Sequence, residues 1–255
     1  MEPQPEAEPS VASLAGHPER GPAVQRMFDR IAPRYDLTNR VLSLGFDRRW
    51  RAAAIASLGP KARGEVLDLC AGTMDMTELL LKAGATRIVA LDFSEAMLNQ
   101  GATRLPPGAP VEIVVADARS LPLPDASVDG IVCGFGLRNV PDLPLALAEC
   151  ARVLRPGGRL VVLELFRPRS ALSRLVQDSY NRYLVPLIGG WLTGSREAYD
   201  YLSTSIEAFM TRQEFEALCH RLGLAPLGRE VFPPVAGLVI AIRQPTTQVT
   251  AVVEP

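Results

Sequence analysis

Histidine is scarce in this chain. Of 255 residues only His17 and His220 carry an imidazole, and neither lies at a metal-ligand offset. The four cysteines, Cys70, Cys133, Cys150 and Cys219, form no C-x-x-C pair. These absences exclude zinc-ribbon and dithiol redox centres, and no metal is expected. Cys70 and Cys133 sit at the ends of apolar runs and read as reduced, partly buried thiols, which suits a reducing cytoplasm.

An excess of one charge is also missing. The 27 basic side chains balance 28 acidic ones, for a net charge of −1. Binding along a nucleic acid needs a basic stripe that neutralises phosphates, so no nucleic-acid partner is expected. Arg48, Arg49 and Arg51 read as a solvated helix face. No stretch approaches the run of roughly 18 apolar residues that spans a bilayer. Residues 1–21 are rich in Pro, Glu, Ala and Ser, lack the apolar core of a secretory leader, and are predicted to form a disordered tail. A cytoplasmic protein, at most peripheral to the inner face of a membrane, is the expectation. A homo-oligomer is left open.

What is present is an alternation of strand and helix patterns. Val24, Met27, Phe28 and Ile31 recur at helical spacing, with Pro33 ending the run. Further helices are predicted over Leu37–Leu44 and Asp47–Leu58. Glu65–Cys70 is a short apolar run suited to a strand buried on both faces, and further strands are predicted at Arg87–Asp92, Val111–Ala116, Val128–Cys133 and Leu160–Glu164. Helical patterns separate them, the last closed by Pro156-Gly-Gly158. Thr211, with Glu214 three residues on, predicts a capping box. Two final strands near Leu227–Phe232 and Gly237–Ile242 should pair antiparallel through Pro233-Pro234. The predicted fold is therefore α/β: a Rossmann-like, doubly wound, seven-stranded sheet, mostly parallel with an antiparallel last strand. One domain is expected over 22–243, with an N-terminal helical cap (22–60) and an aromatic-rich helical insertion (170–210). Residues 244–255 should fray.

In open α/β sheets ligands bind beyond the carboxyl ends of the strands. The first predicted strand runs into Asp68-Leu-Cys-Ala-Gly72-Thr73-Met74-Asp75, a small-residue turn that lets backbone approach a ligand closely. The second ends in Asp92, placed to accept hydrogen bonds from ribose hydroxyls. The third ends in Asp117-Ala118, where a carboxylate can accept from an adenine amine and a backbone amide can meet a ring nitrogen. An adenosine cofactor fits this trio. The G-x-G-x-x-G pattern that seats a pyrophosphate is absent, and S-adenosylmethionine, which has no phosphates, suits the turn better.

Longer runs then carry a resemblance. Phe28-Asp-Arg-Ile-Ala-Pro-Arg-Tyr-Asp36, continuing to Trp50-Arg51, resembles the opening signature of the ubiquinone/menaquinone C-methyltransferase family (UbiE/MenG type). So do Leu91–Leu98, the narrower run Gly134-Phe-Gly-Leu-Arg-Asn-Val140, Leu154–Leu160, and the late segment Tyr199–Phe209. The resemblance spans about Val24 to Arg243 in order. It implies methyl transfer from S-adenosylmethionine to a ring carbon of a prenylated quinol. It also implies cofactor contacts at Thr73, Asp92, Asp117 and Ala118, with Gly134 nearby and Tyr35 a candidate to close over the ligand; Gly72 joins the expected cofactor contacts from the turn itself.

A quinol ring carbon becomes nucleophilic when its neighbouring hydroxyl loses a proton, so an oxyanion needs stabilising. Arg138 and Asn139, after the fourth strand, are the catalytic candidates; a structural ion pair and a helix cap are their alternatives. The insertion and the N-terminal helices supply apolar surface for a polyprenyl chain or a membrane contact. One residue departs from the family: the turn usually reads Gly-Gly-Thr-Gly-Asp, and here position 74 is Met. If that backbone needs positive φ, Met costs roughly 1–2 kcal/mol. If not, Met74 begins the helix and touches the cofactor. Another phenolic acceptor, or a silent methyltransferase fold binding lipid or a partner, stays open at this point.

Overall fold

The computed structural model describes residues 20–168, 196–232 and 236–245. Most of the predicted tails, the insertion from Ser170 to Leu192 and the Pro233-Pro234 turn lie outside the described residues.

Among the described residues, three helices come first: α1 (Arg20–Ile31), α2 (Tyr35–Leu42) and α3 (Asp47–Ser57). Pro33 sits in a 3₁₀ turn, Ala32–Arg34, that leads directly into α2. The second helix therefore starts earlier than its apolar pattern suggests, and Leu44 and Gly45 form the turn after it with φ of 52° and 78°. Then follow β1 (Glu65–Leu69), α4 (Asp75–Ala83), β2 (Arg87–Asp92), α5 (Glu95–Ala102), β3 (Val111–Val115) and β4 (Val128–Gly134). After these come α6 (Leu143–Val153), β5 (Leu154–Leu165), α7 (Arg196–Ala208), α8 (Arg212–Arg221), β6 (Leu224–Phe232) and β7 (Ala236–Arg243).

One seven-stranded sheet runs in the order β3-β2-β1-β4-β5-β7-β6. The first five strands are parallel, and β7 lies antiparallel between β5 and β6. The chain winds outward from β1 in one direction and from β4 in the other, which puts the switch point between those two strands. Both faces of the sheet are apolar because helices cover both. Leu67, Leu69, Ile131 and Val162 fill one side; Val66, Ile88, Val132 and Val161 fill the other. All eight are essentially buried.

The Pro156-Gly157-Gly158 segment differs from expectation. It does not separate α6 from the strand: β5 begins at Leu154 and runs through it. Leu154 pairs with Val128 and Arg159 with Gly130, so the extra residues bulge out of the ladder. Gly157 takes φ +76°, and a Cβ on Gly158 would come 2.8 Å from the Arg155 carbonyl oxygen. The glycines make a bulge inside a strand rather than a turn before one.

Caps fix the helices as their sequences dictate. Ser94 Oγ accepts from Met97 N at 3.2 Å and donates to Asp29 Oδ1 at 2.5 Å, which ties α5 to α1. Thr211 and Glu214 form the reciprocal capping box of α8. The helices α1 and α2 lie over the carboxyl ends of β1 and β2: Gln25 Nε2 donates to the Phe93 carbonyl at 2.7 Å, and Phe28 packs edge-on to Phe93 and Tyr35.

Candidate active site

At the switch point a cavity of about 420 Å³ opens over the ends of β1–β4, roofed by Phe28 and Tyr35. Its floor steps through the strands in sheet order. Asp117, Ala118 and Arg119 come from the end of β3, Asp92 and Phe93 from β2, Cys70 and Gly72 from β1, and Gly134 to Gly136 from β4.

Asp92 is the best-held group. It is 5% exposed, and its two carboxylate oxygens accept the Gly72 N–H and the Ser94 N–H, each at 2.9 Å. Each oxygen keeps a further lone pair for a ligand hydroxyl. Burial pushes this carboxyl up to about 6, opposed by backbone N–H groups of Ser94, Gly72 and Phe93. At the β3 end, the Asp117 carboxylate takes a fork of hydrogen bonds from Arg119, the shortest 2.6 Å from Nη2. That partner holds its carboxyl below the usual range. Arg119 thus joins the site, which a residue two places along a loop gave no pattern to announce.

The turn after β1 alternates in hand: Cys70, Gly72 and Met74 have φ of 55°, 52° and 65°. Position 74 is therefore left-handed, and Met pays a conformational cost there. Its side chain is fully buried, but not on the cavity: it packs with Ala71, Ala90 and Leu98 behind the turn. Of the two conditional readings of position 74, positive φ with its conformational cost is the one the structure has, and Met74 is not among the residues lining the cavity. Gly101 on α5 makes room for it, since a Cβ there would stand 2.8 Å from Met74 Cγ and 2.6 Å from the Thr73 oxygen.

Of the residues expected at the site, Gly72, Asp92, Asp117, Ala118, Gly134 and Asn139 line the cavity. Thr73 and Arg138 do not. Thr73 is 3% exposed, and its hydroxyl donates to Asp36 Oδ1 at 2.5 Å, which clasps the turn to α2. Arg104 reinforces that clasp by pairing with Asp36, Asp75 and Glu78 at 2.5, 3.0 and 2.7 Å. Arg138 turns away into the protein. Its Nη1 lies 2.5 Å from the wholly buried Glu164 of β5, and its Nε donates to Ser205 Oγ of α7 at 3.1 Å. The structural ion pair foreseen as an alternative is what its side chain makes. Asn139 stays at the cavity, with Oδ1 accepting from the Tyr201 hydroxyl at 2.9 Å. The late segment noted in the sequence thus supplies the partners of the Arg138-Asn139 pair.

Arg51 also departs from expectation. Arg48 and Arg49 are exposed, but Arg51 is 7% exposed. One α-helical residue out of phase with its neighbours points inward, and its guanidinium lies 5.4 Å from the centre of the Phe135 ring. Close by, Asp68 is buried, with Oδ2 accepting from Thr77 Oγ1 at 2.6 Å and Oδ1 without a hydrogen-bond partner among the described residues. Burial pushes its carboxyl up to about 7, against the Thr77 hydroxyl and the charge of Arg51.

Residues 17–242 match the ubiE/COQ5 methyltransferase family. The chain belongs to that family. A demethylmenaquinone methyltransferase of Deinococcus radiodurans is 42% identical over 224 residues, 86% of this chain and 92% of that one. The ubiquinone/menaquinone biosynthesis C-methyltransferase UbiE of Syntrophotalea carbinolica is 42% identical over 206 residues, 80% of this chain and 86% of that one. Solved S-adenosylmethionine-dependent methyltransferases share the fold. One from Mesorhizobium loti has a TM-score of 0.56 at 21% identity, covering 75% of this chain and 96% of its own. One from Thermotoga maritima has a TM-score of 0.59 at 19% identity, covering 86% and 99%.

S-adenosylmethionine is the methyl donor of this ubiE/COQ5-family chain, and the residues present suit it. At the β2 end the cavity offers a buried carboxylate with free lone pairs, a group that suits a ribose diol, and at the β3 end a carboxylate–guanidinium pair beside the Ala118 backbone, groups that suit a purine. Both Gly72 and Gly134 line the cavity; a Cβ on Gly72 would meet Met97 Cε, also of the cavity lining, at 3.4 Å, and one on Gly134 would meet Arg51 Nη1 behind the wall at 3.2 Å.

Proposed function

We propose that this chain methylates a ring carbon of a prenylated quinol, in the demethylmenaquinol-to-menaquinol step, the corresponding polyprenyl-benzoquinol step, or both. The observation that carries the reading is that three strand ends converge on one cavity beside the Gly134–Asn139 run, in a chain of this family. The bound cofactor supplies a methyl group already activated as a sulfonium. Asp92 fixes the ribose, and the Asp117–Arg119 pair with Ala118 frames the adenine. Tyr35 and Phe28 roof the site and would exclude water and restrict how an acceptor ring could approach the donor. Asn139, its Oδ1 held by Tyr201, presents its amide N–H to the quinol oxygen as charge develops there. Arg138 serves this step through the loop: pinned by Glu164 and Ser205, it sets the position of Asn139.

Met74 gave the reason for a silent-fold reading. With its side chain turned behind the site, it does not obstruct a ligand.

The polyprenyl acceptor partitions into lipid, and the cap offers a route to it. Leu37, Leu44 and Phe46 are 51%, 66% and 45% exposed, and the exposed Arg40, Arg48 and Arg49 lie among them. Apolar side chains ringed by arginines suit an anionic bilayer surface. The α2 helix begins at Tyr35 in the cavity roof, so a surface contact at Leu37–Phe46 stands at the cavity's edge. Quinone profiling of a strain lacking this gene tests the assignment. Loss of the methylated quinone with build-up of its demethyl precursor is expected, restored by the wild-type chain but not by Asp92→Asn. An unchanged quinone pool would sink it.

A further inference from the structure

The β1–β4 end of the cavity must take the amino-acid part of the cofactor, because Asp92 and Asp117–Arg119 occupy the ribose and adenine positions. That part carries a carboxylate. Removing a carboxylate from water without a cation costs several kcal/mol. The inference below rests on S-adenosylmethionine being the ligand of this cavity.

The arginines around the site are mostly committed. Arg119 is spent on Asp117 at the opposite end. Arg104 holds Asp36, Asp75 and Glu78. Arg138 holds Glu164. Arg51 differs. Its side chain is 8% exposed, and its Nε is buried without a hydrogen-bond partner among the described residues. The nearest carboxylates, Asp75 at 3.6 Å and Asp47 at 4.0 Å, are too far from Nε for hydrogen bonds. Each carboxylate faces Arg51 with its Oδ2 and gives its Oδ1 to another partner, Asp75 to Arg104 at 3.0 Å and Asp47 to the Ser43 hydroxyl at 2.9 Å.

A buried guanidinium with unused donors is costly unless something else meets it. Its position says what. It lies over the Phe135 ring, and its Nη1 is 3.2 Å from where a Cβ on Gly134 would stand. Gly134 and Phe135 are both cavity wall at the β4 end. The absence of a side chain at Gly134 lets the guanidinium close up behind that wall.

We infer that Arg51 is the receptor for the cofactor's α-carboxylate, reached across Gly134, and so sets affinity for the amino-acid end of S-adenosylmethionine. The α3 helix thereby becomes part of the binding site rather than only a cap.

The test is a binding cycle by calorimetry, without turnover. The ligands are S-adenosylmethionine and its decarboxylated form, which lacks only the carboxylate. Wild-type chain should bind the intact cofactor at least tenfold more tightly than the decarboxylated one. Arg51→Gln should weaken intact cofactor by tenfold or more, leave the decarboxylated ligand within about twofold, and so erase the preference. Arg51→Lys should keep part of it. Equal weakening of both ligands in Arg51→Gln would mean a structural role and overturn the inference. So would a wild-type chain that does not distinguish the two ligands, a result independent of how any variant folds. A wild-type chain that binds neither would instead contradict the cofactor assignment itself.

Discussion

Met74 is a residue whose backbone and side chain want different things. Its φ of 65° suits glycine, while its side chain is wholly buried against Ala71, Ala90 and Leu98. Truncating a buried Met to Ala costs about 2–5 kcal/mol. Glycine removes still more side chain but relieves the left-handed backbone, a gain of roughly 1 kcal/mol over alanine. Urea unfolding should therefore rank wild type above Met74→Gly, and Met74→Gly above Met74→Ala, the reverse of the usual order of the last two. An alanine variant that outlasts the glycine variant would show that position 74 carries no strain. Asp68 gives a pH signature. Its folded-state carboxyl titrates near 7 against an ordinary value of 3.8. Below that ordinary value both states are protonated. Between the two values the folded chain holds a proton that the unfolded chain has lost, so stability falls as pH rises, by about 1.4 kcal/mol per unit, and levels off above. Asp68→Asn mimics the protonated form. Its melting temperature relative to wild type should climb from pH 5 to pH 8. A difference that stays constant over that range would refute the buried-charge explanation.

Among the elements, the loop from Phe135 to Asn139 depends most on its neighbours. Glu164 of β5 accepts from both Arg138 Nη1 and Arg138 N, and Ser205 of α7 accepts from Arg138 Nε. One arginine thus joins strand, loop and helix. Arg138→Met alone leaves Glu164 charged and buried, and should destabilise by about 3–5 kcal/mol. Adding Glu164→Met should recover most of that stability in thermal melts. If the single variant melts like wild type, the staple is not the role of Arg138. This pairing was not legible in the sequence, because Arg138, Glu164 and Ser205 are far apart along the chain and none breaks a pattern. The strands were legible for the opposite reason. Strands buried on both faces are continuous apolar runs, and Arg87–Asp92 falls where its run predicts. The bulged start of β5 was not, since Pro-Gly-Gly reads as a turn until the partner strand shows that the ladder continues around it. Arg51 was misread because charge outweighed phase: it sits on the buried face of α3 with Trp50, Ala54 and Ile55.

Across the whole molecule, the sheet order does the assembling. The switch between β1 and β4 brings Asp92, Asp117 and Gly134 from three separate strand ends to one cavity, and α1 with the start of α2 closes over it. Their positions could be read one strand at a time, whereas their convergence depended on the strand order. The same cap exposes Leu44 and Phe46 beside arginines. Vesicles containing anionic lipid should retain the wild-type chain in flotation, and Leu44→Ser/Phe46→Ser should reduce retention severalfold with the fold intact. Equal retention of both would remove this surface from the membrane contact. Chemistry is the most direct arbiter of the account. Purified chain should be supplied with methyl-labelled S-adenosylmethionine and, separately, with a demethylated prenyl-naphthoquinol and a demethylated prenyl-benzoquinol under reducing conditions, with products resolved by mass. The account predicts one methyl group added to a ring carbon of at least one of them, and none with Asp92→Asn. A chain that binds the cofactor yet methylates neither quinol would contradict it.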